Sequence, residues 1–327
     1  MRAGVDLGGT KIDALIVEGS RETRGRARMP TPTDGGAAAV VAAVAQAVVD
    51  AADDARVPVD QLTGVGVGSP GAVDTKAGTV GFNSNLAGGW TDPYPFAEEL
   101  GRRVGTHVLV TNDVDAATGA ELKLGAGRDL PSFLAVWWGT GLGGSVVLAG
   151  RRWEGNGAGC ELGHTVVKLG GRVCPCGRRG CAEAYAGRAA MEARARHLHE
   201  RGQHTQLFDL MRRANRDRLT SGVWERALKH DDRLAHELID DAYDAIAAAS
   251  ASVVNLLDID GIVLGGGLGT RFGDKAAERI RDKMRPHVFN PTRDPPVRPA
   301  ELGDDGGALG AALLVGQPDG GTKVRPA

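Results

Sequence analysis

The chain has 327 residues, of which 42% are hydrophobic and 24% charged, and 39 basic against 41 acidic side chains leave a net charge of −2. This near-neutral balance argues against a nucleic-acid or membrane partner, no apolar run reaches the ~20 residues of a membrane span, and the first residues lack a signal-peptide pattern. We therefore expect a cytoplasmic globular protein, long enough for two domains.

The N-terminal half predicts strands that alternate with helices. Three short strands joined by tight turns come first; they lie at 3–8, 13–19 and 21–30. An Ala-rich stretch at 35–55 has the apolar spacing of a helix, and a buried strand within 62–71 stops at a Gly-Pro loop. Residues 106–125 predict a strand that passes directly into a helix, with Asn112 and Asp113 at the junction.

The C-terminal half continues this alternation. Residues 132–153 predict a strand, a glycine loop and a second strand, and residues 182–256 are mostly helical. Another strand within 260–269 runs into glycines, followed by a helix from Arg271, and a last helix lies within 303–316. The whole pattern is typical of an α/β protein.

The same motif, a hairpin of strand, glycine loop and strand, occurs once in each half of the chain, at 4–17 and at 135–150. Their repetition indicates a duplicated α/β architecture with a cleft between the halves. Glycine and threonine in such loops let backbone N–H groups converge on an anion, and Lys11 adds a cation beside the first loop. The pair therefore predicts a polyphosphate clamp, although glycine would also serve tight turns alone.

Two other phosphate-binding patterns are excluded. The P-loop motif is absent. The pattern GxGxxG occurs twice, ending at Gly71 and Gly144, but neither match runs from strand to turn to helix.

All four cysteines lie within residues 160–181, with His164 among them. Three of them have the spacing Cys-x-Cys-x4-Cys, and a Cys3His set favours tetrahedral Zn²⁺. In a reducing compartment a metal site is the better interpretation than disulfides. The segment offers five ligands for four positions, and unmetallated buried thiols are the alternative.

Seven segments occur in the order found in ROK-family sugar kinases, and the chain resembles that family over about residues 3–316. They are DLGGTK (6–11), GSPGAVD (68–74), ND (112–113), GTGLGG (139–144), ELGH (161–164), CPCGRRGCAE (174–183) and GGGL (265–268). The resemblance implies an actin-like, hexokinase-type α/β ATPase fold with a structural zinc site. It implies a small lobe of 1–113 plus 305–320 and a large lobe of 114–304 that holds the zinc-binding segment 160–183. The Pro, Gly and polar composition of the last residues predicts a disordered tail at 321–327.

The resemblance also implies the roles of individual residues. Asp113 is the expected catalytic base. The expected sugar contacts are Asn85, Asn112, Asp113, Glu161, His164 and Glu183. The expected ATP site consists of Asp6, Gly8, Gly9, Thr10, Lys11, Gly139, Thr140, Gly141, Gly265, Gly266 and Gly267, with Asp6 reaching Mg²⁺ through water. The expected zinc ligands are His164, Cys174, Cys176 and Cys181, which leaves Cys160 as the spare thiol.

Two departures from the family pattern bear on these expectations. One extra glycine separates Leu86 from Trp90 in the sugar-loop segment, and Ser145 replaces a glycine that is commoner after the second loop. The first departure keeps open a substrate other than the default sugar.

The implied function is ATP-dependent phosphorylation of a hexose hydroxyl, with glucose giving glucose 6-phosphate, Mg²⁺ bound with ATP, and a homodimer or homotetramer. The alternatives are a kinase for a modified hexose, amino sugar or cyclitol, and a non-catalytic sugar sensor. Asp113 and both glycine loops argue against the sensor, and we expect no DNA-binding domain ahead of a hairpin that starts at residue 3. A zinc module for nucleic acid would need a basic patch.

Overall fold

The computed structural model describes residues 1–316 except 82, 84, 85, 88 and 156–158, so Asn85 and the predicted tail at 321–327 lie outside the described residues. The strands are β1 (Arg2–Leu7), β2 (Lys11–Glu18), β3 (Glu22–Pro30), β4 (Val65–Ser69), β5 (Ala72–Asp74), β6 (Thr79–Gly81), β7 (Val108–Asn112), β8 (Phe133–Trp138), β9 (Leu142–Leu148), β10 (Arg151–Arg152), β11 (Gly261–Gly265) and β12 (Val297–Pro299). The helices are α1 (Gly36–Asp54), α2 (Phe96–Val104), α3 (Asp113–Leu124), α4 (Glu183–Ala186), α5 (Arg188–Glu200), α6 (Leu207–Arg213), α7 (Ser221–Lys229), α8 (Arg233–Leu257), α9 (Gly266–Met284) and α10 (Gly306–Leu314).

The chain divides into two compact units. Of the described residues, unit 1 comprises Met1–Leu124 and 304–316, and unit 2 comprises Gly125–Gly303. The sequence placed the first boundary after residue 113, whereas the observed boundary falls after Leu124, because α3 packs against α10 within unit 1.

Unit 1 is built on a five-stranded sheet in the order β3-β2-β1-β4-β7. Strands β1, β2 and β3 pair antiparallel, and β4 and β7 continue the sheet in parallel from β1. Helix α10 packs closely on this sheet. A Cβ at Gly66 would come within 1.8 Å of the Ala311 carbonyl oxygen, so only glycine at this position permits the contact. This close approach carries the 303–316 segment to the carboxyl end of β1, where Asp6 lies.

Helix α1 is the one helix among the described residues that is long and apolar enough, by length and composition, to cross a membrane. Its residues Val40, Val41, Val44 and Val48 are completely buried in the core of unit 1. Packing against β2, β3 and α2 accounts for this apolar face.

Unit 2 repeats the pattern with a second five-stranded sheet, in the order β10-β9-β8-β11-β12. Here β8, β9 and β10 pair antiparallel, and β11 and β12 extend the sheet in parallel from β8. The strand order and the strand directions match those of unit 1 position by position. The duplicated α/β architecture that the two hairpins predicted is thereby confirmed.

The core of unit 2 lies between its sheet and the long helix α8. Trp138 and Trp224 are completely buried there, and the Trp138 ring packs edge-on against Tyr243 and Phe272. The Trp138 Nε1–H donates to the Ala186 carbonyl oxygen over 2.6 Å, which ties the end of α4 to β8. The glycine hairpin that follows β8 is thus anchored in a packed core.

Candidate active site

The first glycine hairpin, between β1 and β2, is braced by hydrogen bonds from both sides. The Gly8 N–H donates to the Lys11 carbonyl over 2.9 Å, and Thr31 Oγ1 donates to the Gly8 carbonyl over 2.6 Å. Gly9 and Thr10, at the tip, are exposed. The loop therefore presents a fixed stretch of backbone with little side chain, as an anion site requires.

Lys11, the predicted cation of this hairpin, is shared with a buried carboxylate. Its Nζ lies 2.8 Å from Oδ2 of Asp13, and Asp13 also pairs with Arg28. The Asp13 side chain is 7% exposed, whereas that of Lys11 is 41% exposed. Lys11 is therefore oriented along the strand by Asp13, with its ammonium group still open to solvent.

Two carboxyl groups with raised pKa values, Asp6 and Asp113, lie in unit 1 at the carboxyl ends of β1 and β7. Burial, the charge of Asp113 and more weakly those of Asp13 and Asp304 raise the pKa of Asp6 to about 7, while Lys11 opposes the shift. Burial raises the pKa of Asp113 to about 6, against the lowering effect of the Val114 N–H. Both groups can exchange a proton near neutral pH, as functional carboxyl groups often do.

Asp304 is a contributor to this cluster that sequence reasoning missed. It lies in the short 3-10 turn Gly303–Asp305, just before α10. Its neighbour Asp305 forms an ion pair with Arg26 over 2.6 Å. The acidic pair before Gly306 was visible in the sequence, but only the packing of α10 on the sheet brings it towards Asp6.

The junction of β7 and α3 confirms the predicted strand-to-helix transition, since α3 begins at Asp113. The Val114 N–H donates to Oδ1 of Asn112 over 3.0 Å and to Oδ1 of Asp113 over 2.9 Å. Asn112 also donates from Nδ2 to the Gly71 carbonyl over 3.4 Å. Both side chains therefore contribute to the helix start, and Asn112 provides a cap even without Asp113.

The second glycine hairpin, Gly139–Gly141 between β8 and β9, lies against the N-terminus of α5. The Gly139 N–H donates to the Gly141 carbonyl over 3.1 Å, and the Ala189 N–H donates to the Thr140 carbonyl over 3.0 Å. Arg188 donates from its backbone to the Gly139 carbonyl over 3.2 Å and from Nη2 to Thr140 Oγ1 over 2.8 Å. Sequence reasoning missed Arg188, which no motif marked.

The glycine run at 265–267 joins β11 to α9 beside the same hairpin. The helix begins at Gly266, whose φ of 80° is in the left-handed region, so it starts within the run and not at Arg271 as predicted. A Cβ built on Gly139 would lie 3.9 Å from the Gly267 nitrogen. The first turn of α9 therefore lies next to the second hairpin.

The predicted zinc ligands His164, Cys174, Cys176 and Cys181 form one compact group. Their ligand atoms all lie within 4.8 Å of one another. The Cys176 and Cys181 sulfurs are 3.8 Å apart, and so are His164 Nδ1 and the Cys174 sulfur. Metal–sulfur bonds of about 2.3 Å place the ligand atoms of a tetrahedron about 3.8 Å apart, whereas a disulfide needs about 2.05 Å.

The donor set suits a divalent cation chemically as well. Burial raises the pKa of the Cys174 thiol to about 12 and also raises that of Cys181. A bound dication would reverse this preference by stabilising the thiolates. Cys160 is not part of the group, which fits its assignment as the spare thiol.

The cysteine segment is held to the helices of unit 2 by Arg172. Its backbone N–H donates to the Tyr185 hydroxyl oxygen over 3.0 Å, and its guanidinium lies 4.6 Å from the Tyr185 ring centre. The same guanidinium pairs with Asp241 on α8. These contacts hold the ligand loop against α4 and α8.

The ELGH segment lies against β9 and orients the His164 ring. A Cβ on Gly163 would come within 2.0 Å of the Leu142 carbonyl oxygen, so only glycine allows this approach. His164 directs Nδ1 towards the thiols, and its Nε2 lies 4.0 Å from Oε2 of Glu161. Glu161 is 68% exposed. One imidazole nitrogen thus faces the ligand cluster and the other faces outward.

Glu183 connects the cysteine cluster with the second hairpin. Its Oε2 accepts the Leu142 N–H over 2.9 Å, and its Oε1 lies 4.0 Å from the Cys174 sulfur. One carboxylate oxygen is therefore already engaged by the strand that leaves the glycine loop. The predicted contact of Glu183 with a sugar stays a prediction.

Within unit 1 the structure brings together Asp6, Asn112, Asp113 and the first hairpin. Within unit 2 it brings together the second hairpin, the start of α9, the ELGH turn, Glu183 and the cysteine cluster. Each half of the chain thus combines a glycine hairpin with polar groups suited to a phosphorylated or hydroxylated ligand.

Comparison with known proteins finds similarity along nearly the whole chain. The sequence profile of the ROK family matches residues 2–318. A glucokinase from Thermotoga maritima is 31% identical, with 97% of this chain and 98% of the relative aligned. An N-acetylmannosamine kinase from Pasteurella multocida is also 31% identical, with 95% of each chain aligned. A ROK-family glucokinase from Streptomyces griseus, solved with glucose and AMPPNP, superposes with a TM-score of 0.80 at 28% identity, covering 96% of this chain and 98% of that one.

Proposed function

The chain belongs to the ROK family, and from this premise we infer that it is an ATP-dependent sugar kinase that phosphorylates a hexose hydroxyl, with glucose giving glucose 6-phosphate. The observation that carries this inference is the end-to-end similarity to glucokinases, at 31% identity over 97% of the chain. The two glycine hairpins and the carboxyl group of Asp113 provide the matching chemistry.

Asp113 is the proposed catalytic base. The sugar hydroxyl oxygen attacks the γ-phosphorus, the bond from that phosphorus to the β,γ-bridging oxygen breaks, ADP leaves, and the hydroxyl proton passes to the Asp113 carboxylate. A pKa of about 6 keeps this carboxylate ionised at neutral pH while leaving it able to accept a proton. The transition state of phosphoryl transfer is loose, so orienting the hydroxyl matters more than strong basicity.

Asp6 is the proposed group for Mg²⁺, which a kinase requires with its ATP. Its pKa of about 7 reflects burial close to other carboxyl groups. A hard cation with oxygen ligands would offset this crowding of negative charge. When bound, Mg²⁺ would neutralise phosphate charge. The chain's own contribution is to keep Asp6 fixed at the end of β1.

Zinc is the proposed occupant of the cluster of His164, Cys174, Cys176 and Cys181. Four ligands fill a tetrahedral site, so the role is structural. The ion would fix the His164 ring through Nδ1 and leave Nε2 as a hydrogen-bonding group for a sugar hydroxyl. Glu161 and Glu183 are the proposed acceptors for further hydroxyl protons, each carboxylate oxygen having two lone pairs.

An amino sugar is the second candidate substrate, since the N-acetylmannosamine kinase from Pasteurella multocida is as similar, at 31% identity, as the Thermotoga maritima glucokinase. A coupled assay of ADP release over glucose, mannose, N-acetylated hexosamines and a cyclitol decides between them by kcat/KM. We expect glucose to give the highest value. A higher value for an N-acetylated sugar would replace glucose as the substrate, and no sugar-dependent ADP release from folded protein would favour the sensor. The oligomeric state and the cytoplasmic location stay predictions from the sequence.

A further inference from the structure

Arg188, the first residue of α5, forms no ion pair with a carboxylate among the described residues. Its Nη1 donates to the Leu219 carbonyl over 3.2 Å, and its Nη2 donates to Thr140 Oγ1 over 2.8 Å. Both partners are neutral oxygens. The side chain is half-buried, which makes an uncompensated charge more costly than it would be on the surface.

The surroundings of Arg188 increase this cost. Burial lowers the pKa of the Arg188 guanidinium, and the nearby positive charge of Arg218 lowers it further. Glu192 opposes these effects, but its carboxylate is engaged elsewhere: Oε1 accepts from Arg196 over 2.8 Å and Oε2 accepts the Leu219 N–H over 3.0 Å. The guanidinium groups of Arg188, Arg196 and Arg218 thus lie around the Glu192 carboxylate, which is already hydrogen-bonded. A bound anion would offset this excess positive charge.

Three backbone segments of unit 2 converge on the same place. The Thr140 hairpin contacts the N-terminus of α5 at Arg188 and Ala189. Arg188 also holds the segment before α7, and Ser221 Oγ of α7 would lie 3.3 Å from a Cβ on Gly267, in the first turn of α9. The N-terminus of α5 directs its first N–H groups and the positive end of its helix dipole towards this hairpin.

We propose that Arg188 is a phosphate-binding residue for the nucleotide donor, with Arg218 as a second cation, so that the second hairpin binds the phosphate chain through a guanidinium as well as through backbone N–H groups. The inference deepens the proposed kinase function and rests on it. A guanidinium has five N–H donors in a planar fork that matches phosphate oxygens, and the two contacts to Thr140 and Leu219 leave donors for the ligand.

Binding of adenosine, AMP, ADP and ATP to the unreacted enzyme, measured by calorimetry without sugar, tests this role. For Arg188→Gln we expect the Kd of ATP to rise about 10- to 100-fold, the range of charge-assisted hydrogen bonds, and the Kd of adenosine to stay within about twofold, because adenosine has no phosphate. Arg188→Lys should recover part of the loss, since it keeps the charge without the fork. Arg213→Gln, an exposed position at the end of α6, is the matched control and should bind all four ligands as the wild type does.

A purely structural role would weaken adenosine and ATP equally, and that result would overturn the proposal, as would an unchanged Kd for ATP. If Arg188→Gln does not fold, Arg188→Lys and the exposed Arg218→Gln carry the test: ATP should bind several-fold more weakly to each and adenosine unchanged. These measurements need no turnover. If the wild-type protein binds ATP more tightly than adenosine but phosphorylates no sugar, the kinase function is refuted. The binding constants of the Arg188 variants then still decide whether Arg188 binds phosphate.

Discussion

Replacing Asp113 by asparagine separates its two possible roles, general base and helix cap. The amide keeps the shape of the carboxylate and can still accept the Val114 N–H, which Asn112 also binds. It cannot take the sugar proton. We expect kcat to fall by about 10²- to 10⁴-fold, the usual contribution of a positioned base, with a much smaller change in KM for the sugar, because the lost interaction is made mainly in the transition state.

The same substitution should stabilise the unliganded protein at alkaline pH. Burial raises the folded-state pKa of Asp113 from 3.8 to about 6. A raised pKa means that the favourable contribution of the protonated carboxyl is present below pH 3.8 and is lost as the pH rises through about 6. At 1.36 kcal/mol per pKa unit, the ionised group costs up to about 3 kcal/mol at pH 8. Asparagine avoids this cost, so Asp113→Asn should unfold at a higher temperature than the wild type at pH 8, and the difference should shrink towards pH 4.

Steady-state kinetics and thermal unfolding at pH 4.5 and pH 8 provide the two readouts. Asp60→Asn, the same chemical change at an exposed position in unit 1, should alter neither. If Asp113 only caps α3, Asp113→Asn would keep nearly full activity, because asparagine caps as well as aspartate. A folded variant with more than a tenth of the wild-type kcat would refute the catalytic assignment. A lower melting temperature at pH 8 would refute the argument from burial.

Two further predictions concern the cysteine cluster and the ELGH turn. Elemental analysis of purified protein should find about one zinc per chain, retained in Cys160→Ser and lost in Cys176→Ser; zinc at full content in Cys176→Ser would contradict the ligand assignment. Gly163→Ala would bring a methyl group within 2.0 Å of the Leu142 carbonyl oxygen, so we expect the turn to shift. The free energy of unfolding should fall by about 1–3 kcal/mol, which lowers the melting temperature, and KM for the sugar should rise more than KM for ATP. Equal KM values for the sugar in Gly163→Ala and wild-type enzyme would show that the turn does not position the sugar-binding groups.

Features that depend on short sequence patterns could be predicted well. The β1–β2 and β8–β9 hairpins follow from apolar strand segments on both sides of glycine turns, and α3 follows a strand at Asn112 as its polar junction indicated. The spacing of the cysteines predicted a metal cluster, because ligands within 22 residues need only a compact loop to meet. The resemblance to the ROK family then indicated which four of the five candidate ligands form it.

Features that depend on packing between distant segments could not be predicted in this way. Asp304 reaches the surroundings of Asp6 only because α10 lies on the sheet of unit 1. The packing of α3 against α10 places the unit boundary after Leu124. Helix α9 starts inside a glycine run that by itself indicates a loop, because β11 directs the chain straight into the helix. Arg188 belongs to no motif, and its relevance emerges only from its contact with Thr140.

Phosphorus NMR of a reaction containing the wild-type protein, ATP, Mg²⁺ and glucose tests the proposed kinase function most directly. We expect a phosphate monoester signal of glucose 6-phosphate to grow in step with ADP, one for one, and Asp113→Asn to produce both at least 100-fold more slowly under the same conditions. ADP that forms with inorganic phosphate in place of a sugar phosphate, or no change over hours with any hexose or amino sugar, would contradict it.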